Sequence, residues 1–126
     1  MLLPVLYLHR DDFMKTSSGE LILKGFDKND IVVIMVQGGF CGYCTRAKPD
    51  YLEFASRMAK KSDVYTCTIQ IDNEDCGEFN DLRDILFKQG VPSYIAFKGG
   101  RLIGEYTENS RSCDSLVEFV KNIKRS

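Results

Sequence analysis

The amino-acid sequence predicts an α/β protein in which a mixed central β-sheet carries helices on both faces. Strand and helix patterns alternate along most of the chain, which is typical of parallel strands joined by helical crossovers. Residues 31–36 form an unbroken, mainly β-branched apolar run, as expected of a strand buried on both faces. Near the C-terminus, Gly99-Gly100 between two apolar stretches predicts a tight hairpin, which adds antiparallel strands.

Strands are predicted where apolar residues alternate or run together. Residues 64–71 alternate most clearly, with Cys67, Ile69 and Ile71 on one face. Residues 21–26 fit either a strand or a helical turn, because so short an apolar run shows no clear period. The other predicted strands cover residues 2–8, 31–36, 94–97 and 102–106.

Helices are predicted where apolar residues recur every three or four positions. They cover residues 45–60, residues 78–89 and the stretch from Ser110 or Ser112 to Ile123, with a short helix at residues 10–15. Pro49 lies inside the first long helix, and we expect it to kink that helix because proline has no backbone N–H. Gly90 is expected to end the helix at residues 78–89.

Length and composition predict a single domain spanning residues 1–126, with one core. Hydrophobic residues make up 44% of the chain and can supply that core, so the five cysteines are not needed for structural disulfides. The formal net charge is −1 and the charges of both signs are interspersed. This balance gives no indication of a nucleic-acid or anionic-membrane partner.

The N-terminal residues do not follow the pattern of a secretory signal. A basic n-region is missing, Pro4 interrupts the short apolar run, and Asp11 and Asp12 follow where a small-residue cleavage site would be needed. No apolar stretch approaches the ~18 residues that indicate a membrane span. We therefore expect a soluble, cytoplasmic protein in a reducing compartment, where a Cys-x-x-Cys pair is more often catalytic or metal-binding than structural.

Cys41 and Cys44 are separated by Gly42 and Tyr43 and fall between a predicted buried strand and a predicted helix. A Cys-x-x-Cys pair in this setting is typical of a redox-active dithiol. The helix N-terminus favours the thiolate, which is the nucleophilic form. Metal binding and an inert pair are the alternatives, although a four-thiolate zinc site would need a second ligand pair.

Four markers in order make the chain resemble the thioredoxin-fold superfamily. They are the Cys41-Gly42-Tyr43-Cys44 motif after a buried strand, Pro49 in the following helix, Val91-Pro92-Ser93 before a strand, and Phe97-Lys98-Gly99-Gly100 at the hairpin. The resemblance covers nearly the whole chain. It implies the thioredoxin fold, a central mixed sheet flanked by helices on both faces.

The resemblance also implies a function, thiol–disulfide oxidoreduction on protein disulfides. Cys41 would attack the substrate disulfide and Cys44 would resolve the mixed disulfide, with Pro92 beside them in a cis peptide bond. Cys44 is one helical turn further in than Cys41, so we expect its thiol to be shielded from solvent. The Val91 backbone would offer N–H and C=O groups to an extended substrate, with Gly42 and Tyr43 as further contacts. No cofactor or metal is implied; the partners are protein substrates with thiols or disulfides and a reductase or other thiol donor.

The sequence departs from the family pattern around the motif. Met35 stands where thioredoxins usually keep a buried carboxylate, and Thr68 falls near the position of its partner lysine. Phe40 and Gln37 replace common tryptophans. A buried acid helps to move the proton of the resolving thiol, so its absence bears on the rate of the second step.

Other residues have both structural and chemical interpretations. Cys67 is expected to be a small core residue. Cys76 has acidic neighbours and is expected to be an unreactive surface thiol. Cys113 near Arg111 is a candidate for a regulatory or intermolecular disulfide. His9, the single histidine, is expected at the surface at a strand end. Arg46 and Lys48 either favour the thiolate or form a solvated helix face.

Two further functions stay open at this stage. One is a thioredoxin-fold binding or scaffold protein that seldom uses the dithiol, which the missing acid at Met35 favours. The other is a glutathione-linked glutaredoxin-like enzyme, against which the Gly-Tyr pair between the cysteines argues. Oxidase, reductase and isomerase share the same residues, so the direction of electron flow does not follow from the sequence.

Overall fold

A computed structural model of the protein describes residues 5–38, 42–71, 78–88, 90–108 and 110–125. Within them, seven strands form one sheet: β1 (Val5–Tyr7), β2 (Phe13–Lys15), β3 (Leu21–Leu23), β4 (Ile31–Gln37), β5 (Val64–Gln70), β6 (Ser93–Lys98) and β7 (Arg101–Glu105). The helices are α1 (Gly42–Met58), α2 (Arg83–Leu86) and α3 (Cys113–Arg125). In these same ranges no helix has the length and apolar character needed to cross a bilayer.

The sheet is mixed, with the spatial order β1-β5-β4-β6-β7-β3-β2. β1 and β4 both run parallel to β5, whereas β6 runs antiparallel to β4 and begins the antiparallel half of the sheet. The predicted α/β class with a mixed central sheet is therefore confirmed. β4 lies inside the sheet between β5 and β6, and all seven of its residues are buried.

Two apolar layers cover the faces of the sheet. On one face, Met35 and its neighbours pack with apolar side chains of α1 and α3. On the other face, the even-numbered residues of β4 pack with side chains from β2, β3 and α2, such as Phe13 and Leu86, and with Phe79. Helices thus lie on both faces of the sheet. The helix α1, which follows β4 in the chain, packs one side on the sheet and exposes the other to solvent.

Two helix predictions are wrong. Residues 10–15 do not form a helix; Arg10–Asp12 make a single 3₁₀ turn, and β2 follows and pairs with β3. A six-residue helix is too short to be stable alone, whereas the hairpin buries Phe13 against Phe79 and Phe97.

The helix predicted at residues 78–89 is also much shorter than its apolar stripe suggested. A 3₁₀ turn at Asn80–Leu82 leads into α2, and Phe87 leaves the helical conformation with φ −147°. Leaving it, Phe87 packs into the same core as Leu82 and Leu86. Gln89 lies outside the described residues.

The hairpin between β6 and β7 has the predicted two-residue turn, since Lys98 pairs with Arg101. Gly99 has φ +60°, and a Cβ built there would lie 2.5 Å from the carbonyl oxygen of Lys28. The Gly99 N–H donates to the Asp30 carbonyl at 2.9 Å, so the turn rests on the loop that leads into β4. A side chain at this position would push the turn off that loop.

We expect Gly99→Ala to lower the free energy of unfolding by about 2–4 kcal/mol, because backbone strain and a steric clash combine. Gly25→Ala is the matched control: Gly25 has φ +89° with no other atom within 4 Å of a built Cβ, so only strain applies. Urea unfolding of both variants measures the difference. Equal losses would contradict the close approach of the turn to Lys28.

Candidate active site

The Cys-x-x-Cys motif lies where β4 gives way to α1. β4 ends at Gln37 and α1 begins at Gly42, the residue after Cys41. Cys41, like Phe40, lies outside the described residues. Cys44 is the third residue of α1 and is 1% exposed, as expected for the shielded thiol of the pair. It therefore lies in the first turn, where backbone N–H groups have no partner inside the helix.

The core behind Cys44 is apolar at the position where the family pattern has an acid. Met35 is 1% exposed and belongs to the same buried cluster as Cys44 and Tyr51. In the sheet register, Met35 stands between Thr68 on β5 and Tyr94 on β6. A thioether at this position accepts no proton, so any route for the Cys44 proton must use other groups.

Polar side chains nevertheless reach this core from β4 and β5. The Thr68 hydroxyl donates to the Met35 carbonyl at 2.7 Å, and the Gln37 Nε2 donates to the Thr68 Oγ1 at 2.6 Å. Gln37 is 4% exposed, and its Oε1 has no hydrogen-bond partner in the described part of the chain. The sequence identified Gln37 only as a replacement for tryptophan and did not predict this buried amide.

Two buried tyrosines line the same core and were not singled out from the sequence. The Tyr51 hydroxyl lies 2.6 Å from the Cys67 carbonyl and 3.0 Å from the Val33 carbonyl, so it ties α1 to β5 and β4. Burial raises the pKa of Tyr51 well above its usual value. Burial likewise raises the pKa of Tyr94 to about 12. Unlike Tyr51, the Tyr94 hydroxyl has no hydrogen-bond partner within the described ranges.

Pro92 stands at the entrance of β6, beside the end of β4. Its peptide bond with Val91 is cis. The next residue, Ser93, is paired with Val36 in the sheet register, which places Pro92 close to the β4 end that leads into the motif. A groove of about 360 Å³ begins here; it is lined by Pro92, Ser93, Glu105, Tyr106, Thr107, Glu108 and Arg111.

The residues between and just after the cysteines face solvent. Tyr43 is 71% exposed, and the Arg46 guanidinium lies 4.6 Å from the centre of its ring. Gly42 is exposed as well, and a Cβ there would meet only Arg46 Nη1 at 3.5 Å, an ordinary contact. Both residues are thus accessible to a large substrate.

The structure separates the remaining cysteines by environment. Cys67 is fully buried, and burial raises the pKa of its thiol to about 12. Cys113 is 4% exposed and accepts a hydrogen bond from Arg57 at 3.3 Å, so it is not presented for an intermolecular disulfide. Cys76 lies outside the described residues.

His9 is a surface residue, as predicted. It is bonded to its surroundings through Asp12, which accepts its backbone N–H at 2.7 Å, and through Glu78, 3.5 Å from its Nδ1. Its side chain is 64% exposed. These contacts give His9 a role in holding the 3₁₀ turn at Arg10–Asp12.

Comparison with known proteins assigns the family. The thioredoxin family model matches residues 13–122. The chain belongs to the thioredoxin family. Among curated relatives, thioredoxin-like protein 453L of Invertebrate iridescent virus 6 is 34% identical, over 93% of this chain and 92% of that protein.

The protein disulfide-isomerases among the relatives are longer proteins. Protein disulfide-isomerase of Saccharomyces cerevisiae is 31% identical over 75% of this thioredoxin-family chain, which spans only 17% of that protein's length. Among solved structures, thioredoxin f from spinach chloroplast superposes with a TM-score of 0.64 at 22% identity, over 95% of this chain and 93% of that one. Human ERp44 form II gives a TM-score of 0.71 at 13% identity, over 97% of this chain and 30% of that one. At these identities the structural likeness shows the fold alone.

The two buried tyrosines of this thioredoxin-family protein should differ in their contribution to stability. Tyr51→Phe removes the donor to two buried carbonyls, and we expect it to lower the free energy of unfolding by about 1–2 kcal/mol. Tyr94→Phe removes a hydroxyl that lacks a partner among the described residues, so its stability should be unchanged or slightly higher. Urea unfolding measures both, and equal losses would contradict the difference in hydrogen bonding.

Cys67 should resist alkylation in the folded protein. With a pKa of about 12 its thiolate fraction at pH 8 is roughly one part in ten thousand, and its side chain is also closed to reagents. Iodoacetamide labelling followed by peptide mass spectrometry should show Cys67 modified only after denaturant is added. Labelling of Cys67 at the same rate with and without denaturant would contradict its burial.

Proposed function

We propose that the protein is a thiol–disulfide oxidoreductase acting on protein disulfides through a Cys41–Cys44 couple. The observation that carries this proposal is the placement of Cys44, a buried thiol in the first turn of α1, the helix that follows β4 in the chain. The end of β4 pairs with Ser93, the residue after Pro92. Membership of the thioredoxin family supports the reaction class. The printed names of several relatives, protein disulfide-isomerases, point to protein thiols as substrates.

The reaction proceeds in two exchanges. The Cys41 thiolate attacks one sulfur of a substrate disulfide, and the other substrate sulfur leaves as a thiolate. Cys44 then loses its proton and attacks the Cys41 sulfur, so the mixed disulfide breaks and the second substrate sulfur leaves. The substrate has gained two electrons, and the protein holds a Cys41–Cys44 disulfide. A reductase or another dithiol donor restores the dithiol, and the reverse sequence oxidises a substrate.

Surroundings of the motif suit a protein substrate. The groove beside Pro92 is open and polar, with carboxylates of Glu105 and Glu108 and the guanidinium of Arg111 along its walls. In the proposal, an extended substrate segment lies in this groove and meets the Val91 backbone in the manner of an added strand. Gly42 and Tyr43 then contact the substrate from the opposite side, since both are exposed at the start of α1.

Insulin reduction with dithiothreitol as donor tests the proposal. We expect Cys41→Ser to lose at least about 100-fold in rate, because the nucleophile is removed. Cys44→Ser should still attack but accumulate a mixed disulfide with insulin, visible by mass spectrometry under non-reducing conditions. Cys67→Ala is the matched cysteine control and should retain wild-type activity. Full activity in Cys41→Ser would sink the proposal.

A second candidate, a binding or scaffold protein, follows from one observation. Met35 gives the resolving step no acid in the core behind Cys44, and a slow second step would prolong each mixed disulfide. The two candidates differ in thiol dependence. A binding protein would retain its partners in Cys41→Ser/Cys44→Ser, whereas an oxidoreductase would lose the covalent ones.

A further inference from the structure

A small pocket lies between α1 and the strands β1, β5 and β4. Its volume is about 190 Å³, and its walls include Met35, Gln37 and Thr68 from the sheet and Lys48 and Tyr51 from α1. We refer to it below as the Gln37 pocket. A water molecule occupies about 30 Å³ in the liquid, so the pocket has room for several waters.

The hydrogen bonds around Thr68 fix the orientation of the Gln37 amide. Thr68 has a single hydroxyl proton, which it gives to the Met35 carbonyl at 2.7 Å. Its oxygen must therefore accept from Gln37, and the Nε2 of Gln37 supplies that bond at 2.6 Å. The amide thus presents its Oε1 as an acceptor, 4% exposed as a residue and without a partner in the described chain. A buried acceptor without a partner calls for a nearby donor, and Gln37 lines the pocket.

Lys48, Tyr7 and water are donors that this pocket can supply. The Tyr51 hydroxyl is directed at the Cys67 and Val33 carbonyls, and the Thr68 proton is given to Met35. Lys48 lines the pocket and is exposed to solvent. Waters between the Lys48 ammonium and the Gln37 Oε1 would satisfy the buried acceptor and reach bulk solvent.

The pocket shares wall residues with the cluster that holds the buried thiol. Lys48 follows Cys44 by four residues on α1, so the two side chains lie on one helix face, one turn apart. Met35 and Tyr51, which wall the pocket, pack in one buried cluster with Cys44. Met35 and Tyr51 thus link the pocket to the packing around Cys44.

We propose that the Gln37 pocket is the proton exit for Cys44 and that Gln37 and Lys48 are its positioning residues. This inference rests on the proposed function. In the second exchange, the Cys44 S–H proton passes to a pocket water held by the Gln37 Oε1 and leaves to bulk water at the mouth. The Cys44 sulfur attacks the Cys41 sulfur, and the departing substrate thiolate takes a proton from solvent. The Lys48 ammonium stabilises the developing Cys44 thiolate.

Other titratable groups lie around Cys44 and the pocket. They are Tyr7 on β1, Tyr51 and Asp50 on α1, Tyr94 on β6, Arg111 before α3 and Cys113 on α3. Tyr51 and Tyr94 stay protonated between pH 6 and 9 because burial raises their pKa. Tyr7 lines the pocket from β1 but is 63% exposed.

Single-turnover kinetics test the inference on the intact protein. Reduced protein is mixed with an aromatic disulfide at pH 6 to 9, and Cys41 attack is separated from release of the second aromatic thiol. Gln37→Met and Lys48→Met should leave the attack rate unchanged, slow release about tenfold at pH 7, and move the pH midpoint of release up by about one unit, which is the same tenfold. Lys61→Met, another exposed lysine, is the control and should match the wild type.

The outcomes separate this inference from the proposed function. Release at the wild-type rate and midpoint in both variants would overturn the inference and leave the dithiol mechanism intact. Equal slowing of attack and release would also overturn it, because the residues would then act on the motif as a whole. A wild type that forms no Cys41 adduct would refute the proposed function itself. Lys48→Met changes only an exposed position, so it keeps the test decisive if Gln37→Met does not fold.

Discussion

Burial of β4 on both faces is the constraint on which the rest of the structure depends. The strand is held between β5 on one side and β6 on the other, and apolar layers cover both of its faces. A strand so enclosed has little freedom in register, because a shift by one residue would exchange the two faces. The chain that leaves its end, through Gln37 into α1, therefore starts from a fixed point, and Cys44 enters the core at a defined place.

The burial of Cys44 conflicts with the chemistry proposed for it. Burial favours the thiol form of Cys44, yet resolution of a mixed disulfide needs its thiolate. A carboxylate in the core would accept the proton, but Met35 occupies that position. The polar groups that are present, the Gln37 amide and the Thr68 hydroxyl, can carry hydrogen bonds without adding a buried charge. The positively charged side chains Arg46 and Lys48 stay at the surface of α1, where they remain hydrated and no desolvation cost arises.

The sequence was sufficient to predict the structure where the hydrophobic pattern is long or where the conformation depends on neighbouring residues alone. The double burial of residues 31–36, the helix after the motif and the Gly99-Gly100 turn are all confirmed. It was insufficient where a segment takes its structure from distant partners. β2 forms because Phe13 meets Phe79 and Phe97 across the fold, and no local period signals that contact.

The site residues likewise include some that could be predicted from the sequence and others that depend on distant partners. The burial of Cys44 followed from helix geometry, whereas the orientation of the Gln37 amide depends on Thr68, a residue on the next strand of the sheet. Register between strands was not readable from either segment alone. The replacement of the acid by Met35 was visible in the sequence, but the pocket beside it became apparent only with β1, β5 and α1 in place.

The central claim is that Cys41 and Cys44 form one two-electron couple, whereas the buried thiols of Cys67 and Cys113 take no part in the exchange. Equilibration in redox buffers of graded potential, followed by peptide mapping of the quenched protein, tests it most directly. The account predicts a single two-electron transition between about −120 and −270 mV, the span of known dithiol enzymes, with one disulfide joining Cys41 to Cys44 and with Cys67 and Cys113 reduced throughout. A disulfide that includes Cys67 or Cys113, or no Cys41–Cys44 disulfide at any potential, would contradict it.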